Sequence, residues 1–327
     1  KIHKDKNMKL FKRVLLALFL IIIVGGTISF FHFKNKFLST APNELTLSNL
    51  GRPFNFKWRS HKLEDKVIQN AFMFVPVSIP GVDKTFYMKF DTGAPSTVFL
   101  YKKVLSVNEK YGDIFQIDTV ENQLRIKNAS LKVGTVDVTA SSLGFRGGSN
   151  KIDWENESFI IIGTIGNDFI EKNPVIIDYK NQIMTVTKSE DERVTKENDF
   201  LPFTFDGRRI FLSAKLNKEP VELWYDSGSS AFELIVDEKT FNDLARPKAE
   251  ITSYEGSSWG KKTMVYNAEA EGMFEFGNAS VPLTYITYME IPGTEMLQFV
   301  LKAANIGGDL GGMTGNKLFL EKTLILD

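Results

Sequence analysis

The sequence predicts a mostly β protein made of two similar lobes related by pseudo-two-fold symmetry and preceded by one transmembrane helix. Three observations predict it. Short runs in which apolar and polar residues alternate recur from residue 67 onward, the period of a half-buried strand. One strand-to-turn pattern occurs twice, as FYMKFDTGAPSTVFL at 86–100 and as LWYDSGSSAFELI at 223–235. Ahead of both, residues 14–31 (VLLALFLIIIVGGTISFF) run for eighteen residues without a charge.

Composition narrows the chemistry before any motif is weighed. With 327 residues, 43% hydrophobic content and 27 Phe, the chain can bury a large core. Forty basic and forty acidic residues leave no net charge, so nothing points to a nucleic-acid partner. No cysteine is present, which removes disulfides, thiol nucleophiles and thiolate metal sites. The three histidines, His3, His32 and His61, all precede the two Asp patterns. A Ser-His-Asp triad or a His-ligated zinc in the body of the chain therefore has no histidine to draw on, and no metal or cofactor is expected.

Taken in order, residues 1–13 carry six Lys or Arg and one Asp and read as a cytoplasmic basic segment. Residues 14–31 then read as a transmembrane anchor or a signal peptide. The length and the lack of a small-x-small cleavage site favour the anchor, with everything after it periplasmic or extracellular. Residues 32–65 read as a spacer, in which LTLSNL and FNFKW are candidates for short edge strands. Residues 66–188 form the predicted first lobe. Its candidate strands are 72–79, 85–90, 123–126, 130–133, 136–140, 159–162, 175–177 and 183–186, with a hairpin turn at Pro80-Gly81. Residues 189–199 (SEDERVTKEND) are apolar-poor and charged and read as a linker. The second lobe, 200–327, restarts with strands at 203–205 and 209–216 and a turn at 217–220. Helical signals are few: 167–172 is short, and 237–245 opens on Asp237 as a cap.

A lone Asp-hydroxyl-Gly triplet is weak evidence, since most such triplets are ordinary turns. Here the surroundings repeat as well. Gly166-Asn167 leads through Glu171-Lys172 to Val175-Ile176-Ile177-Asp178, and Gly315-Asn316 leads through Glu321-Lys322 to Leu324-Ile325-Leu326-Asp327. A repeat of more than a hundred residues implies duplicated units about an approximate two-fold axis, and two Asp-bearing turns near such an axis meet. The first lobe continues past Asp178 into a further strand, whereas the second stops at Asp327, and Lys1 stands ahead of Met8 as a plausible start. The expectation is of a clipped chain whose second lobe is truncated.

These residues resemble the aspartic proteases, the pepsin-like and retropepsin-like group, over about residues 67–327. Asp91-Thr92-Gly93 pairs with Ile165-Gly166, and Asp226-Ser227-Gly228 with Met313-Thr314-Gly315, as in that family's signature. The absence of disulfides is more like the bacterial or retropepsin-type members than the secreted pepsins. The resemblance implies an acid-protease-like β-barrel fold in each lobe and an aspartic endopeptidase acting on a peptide or protein substrate. It implies Asp91 and Asp226 as the catalytic pair, sharing one proton. The ionised member takes a proton from water, which attacks the peptide carbonyl, and the protonated member polarises that carbonyl. Thr92 and Ser227 are implied to bond across the lobes, and Gly93 and Gly228 to let backbone N–H groups approach the carboxylates. The next position is asymmetric. Ser229 can donate to its Asp and Ala94 cannot, which suggests a milder working pH than acid-adapted relatives have, and a shift toward acid in Ala94→Ser.

The sequence departs from the family in its flap. Residues 123–136 hold the place in the first lobe but lack a Tyr, while residues 253–259 (SYEGSSW) offer two aromatics in the second. IGGDLGGMTG at 306–315 is Gly-rich but lacks the Lys-Ser/Thr ending of a phosphate loop. Asn128, Asn156 and Asn278 head glycosylation sequons, which matter only in a eukaryotic secretory setting. Two rivals stand beside the protease reading: a non-catalytic peptide-binding or assembly protein of the same fold, and a two-carboxylate glycosidase, which has no need of paired Asp-Thr/Ser-Gly turns.

Overall fold

Alternating sequence becomes strand almost everywhere, and strand pairing repeats in the same order in the two halves. The computed structural model describes residues 42–63, 66–189, 191–192, 200–258, 261–290 and 310–327. Among these residues the strands form sheets of nine, four and eight members, with two α-helices. In the first sheet, Lys66–Ser78 pairs with Phe86–Phe90, which lies parallel to Ile161–Ile165; that strand pairs with Val98–Leu100, then Val136–Arg146, then Gln123–Val133, which also meets Lys66–Ser78. In the second sheet Arg209–Leu216 pairs with Glu219–Tyr225, which lies parallel to Leu310–Thr314. From there the order is Ile235–Val236, Ala279–Glu290 and Lys261–Phe276, which also meets Arg209–Leu216. The two circuits match strand for strand.

The four-stranded sheet joins the halves through the second pair of repeated segments. Val175–Asp178 lies antiparallel to Thr323–Leu326, with Val175 opposite Leu326 and Ile177 opposite Leu324. The equivalent residues Ile176 and Ile325 face one another, so this pairing is its own image under a two-fold rotation. Phe90, Tyr179, Tyr225 and Phe319 belong to one continuous buried core drawn from both halves. Asn43–Asp327 accordingly forms one compact unit.

The candidate strands 123–126 and 130–133 are one strand, Gln123–Val133, and Gln116–Val120, which the pattern did not reveal, pairs with it through a turn at Glu121 and Asn122, both at positive φ. The stretch read as a spacer is built into the sheets: Leu45–Ser48 pairs with Val136–Arg146, Phe54–Asn55 with Ile183–Val186, and Lys57–Leu63 with Lys66–Ser78. Leu45 and Phe54 are buried, which explains why these two short strands add at sheet edges. The Asp237 cap is present, accepting from Thr240 N–H at 3.0 Å and opening the helix Glu238–Leu244. The helix Tyr101–Tyr111 is not among the sequence expectations, because Leu100 at its N-cap makes no side-chain cap and its first turn holds no acid. Its Val104 and Val107 face the core, and Lys103 pairs with Glu157 at 2.6 Å.

The basic segment 1–13, the apolar run 14–31 and most of the linker 189–199 lie outside the described residues. Among the described residues no helix is long and apolar enough to cross a membrane.

Candidate functional site

Both Asp-bearing turns sit where a strand ends against a parallel neighbour. Asp91 follows Phe86–Phe90 and its N–H donates to Ile165 O at 3.0 Å; Asp226 follows Glu219–Tyr225 and donates to Thr314 O at 2.9 Å. Each turn closes identically, with Ala94 N–H donating to Asp91 O and Ser229 N–H to Asp226 O, both at 3.0 Å. Gly166 and Gly315 follow the partner strands, and a methyl group on either would overlap backbone, at 2.5 Å from Ser96 C and 2.0 Å from Ser229 O. That close packing is the physical reason for glycine after each downstream apolar segment.

The turns are tied by a reciprocal set of hydrogen bonds. Thr92 N–H donates to Ser227 Oγ at 2.9 Å, and Ser227 N–H donates to Thr92 Oγ1 at 2.8 Å. Each hydroxyl then donates onward, Thr92 Oγ1 to Tyr225 O at 3.0 Å and Ser227 Oγ to Phe90 O at 3.1 Å. All four groups are buried, so every bond lost leaves a polar atom without water to replace its partner. Thr92→Val keeps the shape but strands Ser227 N–H and Tyr225 C=O. It is expected to cost roughly 2–4 kcal/mol in urea unfolding, and a cost under half of that would contradict the assigned role.

The glycines bring the carboxylates together. A Cβ on Gly93 would lie 2.5 Å from Asp226 Oδ1, and one on Gly228 would lie 2.4 Å from Asp91 Oδ1. Each glycine thus stands against the carboxylate of the other half while donating to its own: Gly93 N–H to Asp91 Oδ1 at 3.1 Å, Gly228 N–H to Asp226 Oδ1 at 2.8 Å. The sequence reasoning anticipated the second contact and missed the first, which depends on a residue of the opposite half.

The two carboxylates have different surroundings. Asp226 accepts from Ser229 Oγ at 2.9 Å, as expected from the hydroxyl there. Asp91, beside Ala94, instead meets Lys89 Nζ at 3.0 Å from Oδ2. Burial, then the like charge of Asp91, push Asp226 up to about 6, against the lowering effects of Lys89, Ser229 and the Gly228 N–H. Lys89 was not singled out from sequence, although residues i and i+2 of a strand share a face and KFD carried that signal.

Behind the turns, the repeated asparagines have distinct tasks. Asn167 Nδ2 donates to Thr92 O at 2.6 Å and to Arg208 O at 2.7 Å. Asn316 Nδ2 donates to Ser230 Oγ at 2.6 Å, and its Oδ1 accepts from Tyr225 OH at 2.6 Å and Tyr179 OH at 2.9 Å. Burial holds both phenols above their ordinary range, so they stay neutral donors. Arg208, itself buried, pairs with Glu171 at 3.0 Å and points Nη1 at Ser96 Oγ at 3.3 Å.

Above the carboxylates lies a cleft of about 1290 Å³ lined from both halves, by Phe72, Lys89 and Asp91 on one side and Trp224, Asp226 and Tyr288 on the other. Tyr254, Gly256, Thr263 and Val265 of the hairpin Thr252–Ser258/Lys261–Phe276 also line it, whereas the corresponding hairpin of the first half, with strand Gln123–Val133, does not. Of the two flap candidates, only the second reaches the cleft; its Trp259 lies outside the described residues. His61 lines the cleft too, its ring edge-on to Phe72 at 5.7 Å, because Lys57–Leu63 pairs with Lys66–Ser78. His61 precedes both Asp patterns in the chain, yet strand pairing brings it to the cleft wall, so position in the sequence alone does not keep a histidine away from the carboxylates' cleft. The Gly-rich stretch is strand from Leu310, with Gly311 against Val221 and Gly312 against Ile235. Among the described residues no cluster of three or more His, Cys, Asp or Glu side chains could hold a metal ion.

Comparison with known protein-family models and with curated proteins finds no match to this chain.

Proposed function

We propose that this chain is an aspartic-type endopeptidase of the pepsin-like and retropepsin-like kind, with Asp91 and Asp226 as its catalytic pair. The observation that carries the reading is the reciprocal placement of Gly93 against Asp226 and Gly228 against Asp91. It brings two carboxylates from opposite halves into one small space at the floor of a cleft. The matching circuits of strand pairing support reading each half as a barrel-like lobe of the acid-protease type.

The mechanism follows from the charge state such a pair prefers. Two carboxylates this close do not both ionise cheaply, and one proton between them is the favoured state. The ionised oxygen removes a proton from a water as that water attacks the scissile carbonyl carbon. The protonated carboxyl donates to the carbonyl oxygen as charge develops there. Collapse of the tetrahedral diol breaks the C–N bond: the carboxyl that took the water proton passes it to the departing amine, and the other carboxylate takes back a diol proton, which restores the starting state. Thr92 and Ser227 keep the turns in register, and the cleft walls hold an extended peptide across the pair. No cofactor or metal enters this scheme. Residues 14–31 would tether the enzyme to the membrane with its body in the periplasmic or extracellular space, where its protein substrates would lie.

The full chain in detergent, incubated with a mixed peptide library from pH 4 to pH 8 and read by mass spectrometry, tests the assignment. New peptide termini that appear with time are expected. Peptides captured and returned uncut by folded protein would favour a binding or assembly role on the same fold.

A further inference from the structure

We infer that Lys89 is a positioning residue of the pair: its ammonium holds Asp91 as the ionised, water-activating carboxylate and leaves the shared proton on Asp226. This inference rests on the proposed protease reading and assigns the two roles that the two-fold repeat leaves equivalent.

Positions 89 and 224 correspond in the repeat. Lys89 pairs with Thr164 as Phe90 does with Ile165, and Trp224 pairs with Met313 as Tyr225 does with Thr314. Both side chains line the cleft. At this position one half carries a cation in contact with its Asp, and the other carries a neutral indole on the cleft wall. The Lys89 side chain is 24% exposed and that of Asp91 15%, so the pair is only partly screened by water. The ammonium also lies 5.6 Å from the centre of the Phe72 ring, which helps to hold it over the cleft floor. Asp226 receives the Ser229 hydroxyl instead, a neutral and weaker donor to an anion.

Other charged groups line the same cleft, but the charge effects on Asp226 come from Asp91 and Lys89. The remaining charged or titratable side chains on the cleft wall include His61, Arg146, Asp237, Glu238, Lys239 and Glu290. Lys89 works against the raised value of Asp226 and stands in direct contact with Asp91. It also explains how Asp91 manages without a hydroxyl at position 94. Ala94→Ser should therefore shift the acid limb little in the native protein, and more once Lys89 is gone.

The test compares native protein, Lys89→Met, Lys89→Arg and Lys89→Met/Ala94→Ser by the pH dependence of kcat/KM for one cleaved peptide. In Lys89→Met both limbs are expected to move to higher pH by about one unit, since an adjacent cation lowers a carboxylate by about that much or more. Lys89→Arg is expected to keep the native limbs, and the double variant to return the acid limb part of the way. A lower rate with unmoved limbs would mean a merely structural lysine and would overturn the inference. The carboxyl ¹³C resonances of Asp91 and Asp226 are titrated in the same variants. If the native protein cleaves nothing, the protease reading fails while this titration still decides the role of Lys89. Carboxyl midpoints unchanged by Lys89→Met would overturn it there too.

Discussion

Gly228→Ala is expected to lower peptide cleavage by roughly a hundredfold or more, and Gly93→Ala by a similar factor, because small displacements of reacting groups carry penalties of that order. Neither glycine has the left-handed backbone that would by itself exclude alanine, so the effect comes from space. The new methyl carbon of Gly228→Ala would sit 2.4–2.6 Å from three atoms of the Asp91 carboxyl group, and that of Gly93→Ala 2.5–2.8 Å from the Asp226 group. Real Cβ contacts do not fall below about 3 Å, so the carboxylate must swing away or the turn must shift. A swing breaks the Gly–Asp hydrogen bond within the turn, and a shift pulls on the Thr92–Ser227 exchange. Gly147→Ala, where a methyl group meets nothing within 4 Å, is the control and should cleave as the native protein does. Native kcat/KM in Gly228→Ala would show that the carboxylates are not held face to face.

Folding stability is expected to fall by about 3 kcal/mol as pH rises from about 4 to about 7, and Asp226→Asn should remove most of that fall. Asp226 is raised from an ordinary 3.8 to about 6, a difference equivalent to about 3 kcal/mol. The sign is opposite to that of a salt-bridged carboxylate. Between the unfolded and folded values the native state holds more protons than the unfolded chain, so stability declines through that window. Above it the decline is complete. Burial also raises Asp168, which adds in the same direction. The exposed carboxylates held low by local hydrogen bonds, Asp118 and Asp153, act below this window and do not offset it. Urea unfolding at pH 4.5, 5.5 and 7 reads the effect, and the same slope in native protein and Asp226→Asn would contradict it.

Local patterns made much of this legible in the sequence. The Asp-hydroxyl-Gly turns lie at strand ends because the alternating runs before them are strands, and the Gly-Asn segments sit behind them because they belong to the same repeat. What stayed hidden depends on contacts between residues far apart in the chain. Tyr179 and Tyr225 share Asn316 Oδ1 only because the two halves meet. Gly93 and Gly228 read as ordinary turn glycines until the opposite carboxylate is in place. Lys89 is the exception, a local signal two residues before Asp91 on the same strand face. The helix Tyr101–Tyr111 escaped for want of a capping side chain.

Under the proposed function, Asp91 and Asp226 act as one unit on a peptide bond. The rate at which a single cleaved peptide is hydrolysed by native protein, Asp91→Asn and Asp226→Asn, each checked for native folding, tests this most directly. Both variants should lose roughly a thousandfold or more, because each removes one half of the proton transfer. A folded variant of either kind that cleaves at the native rate would contradict it.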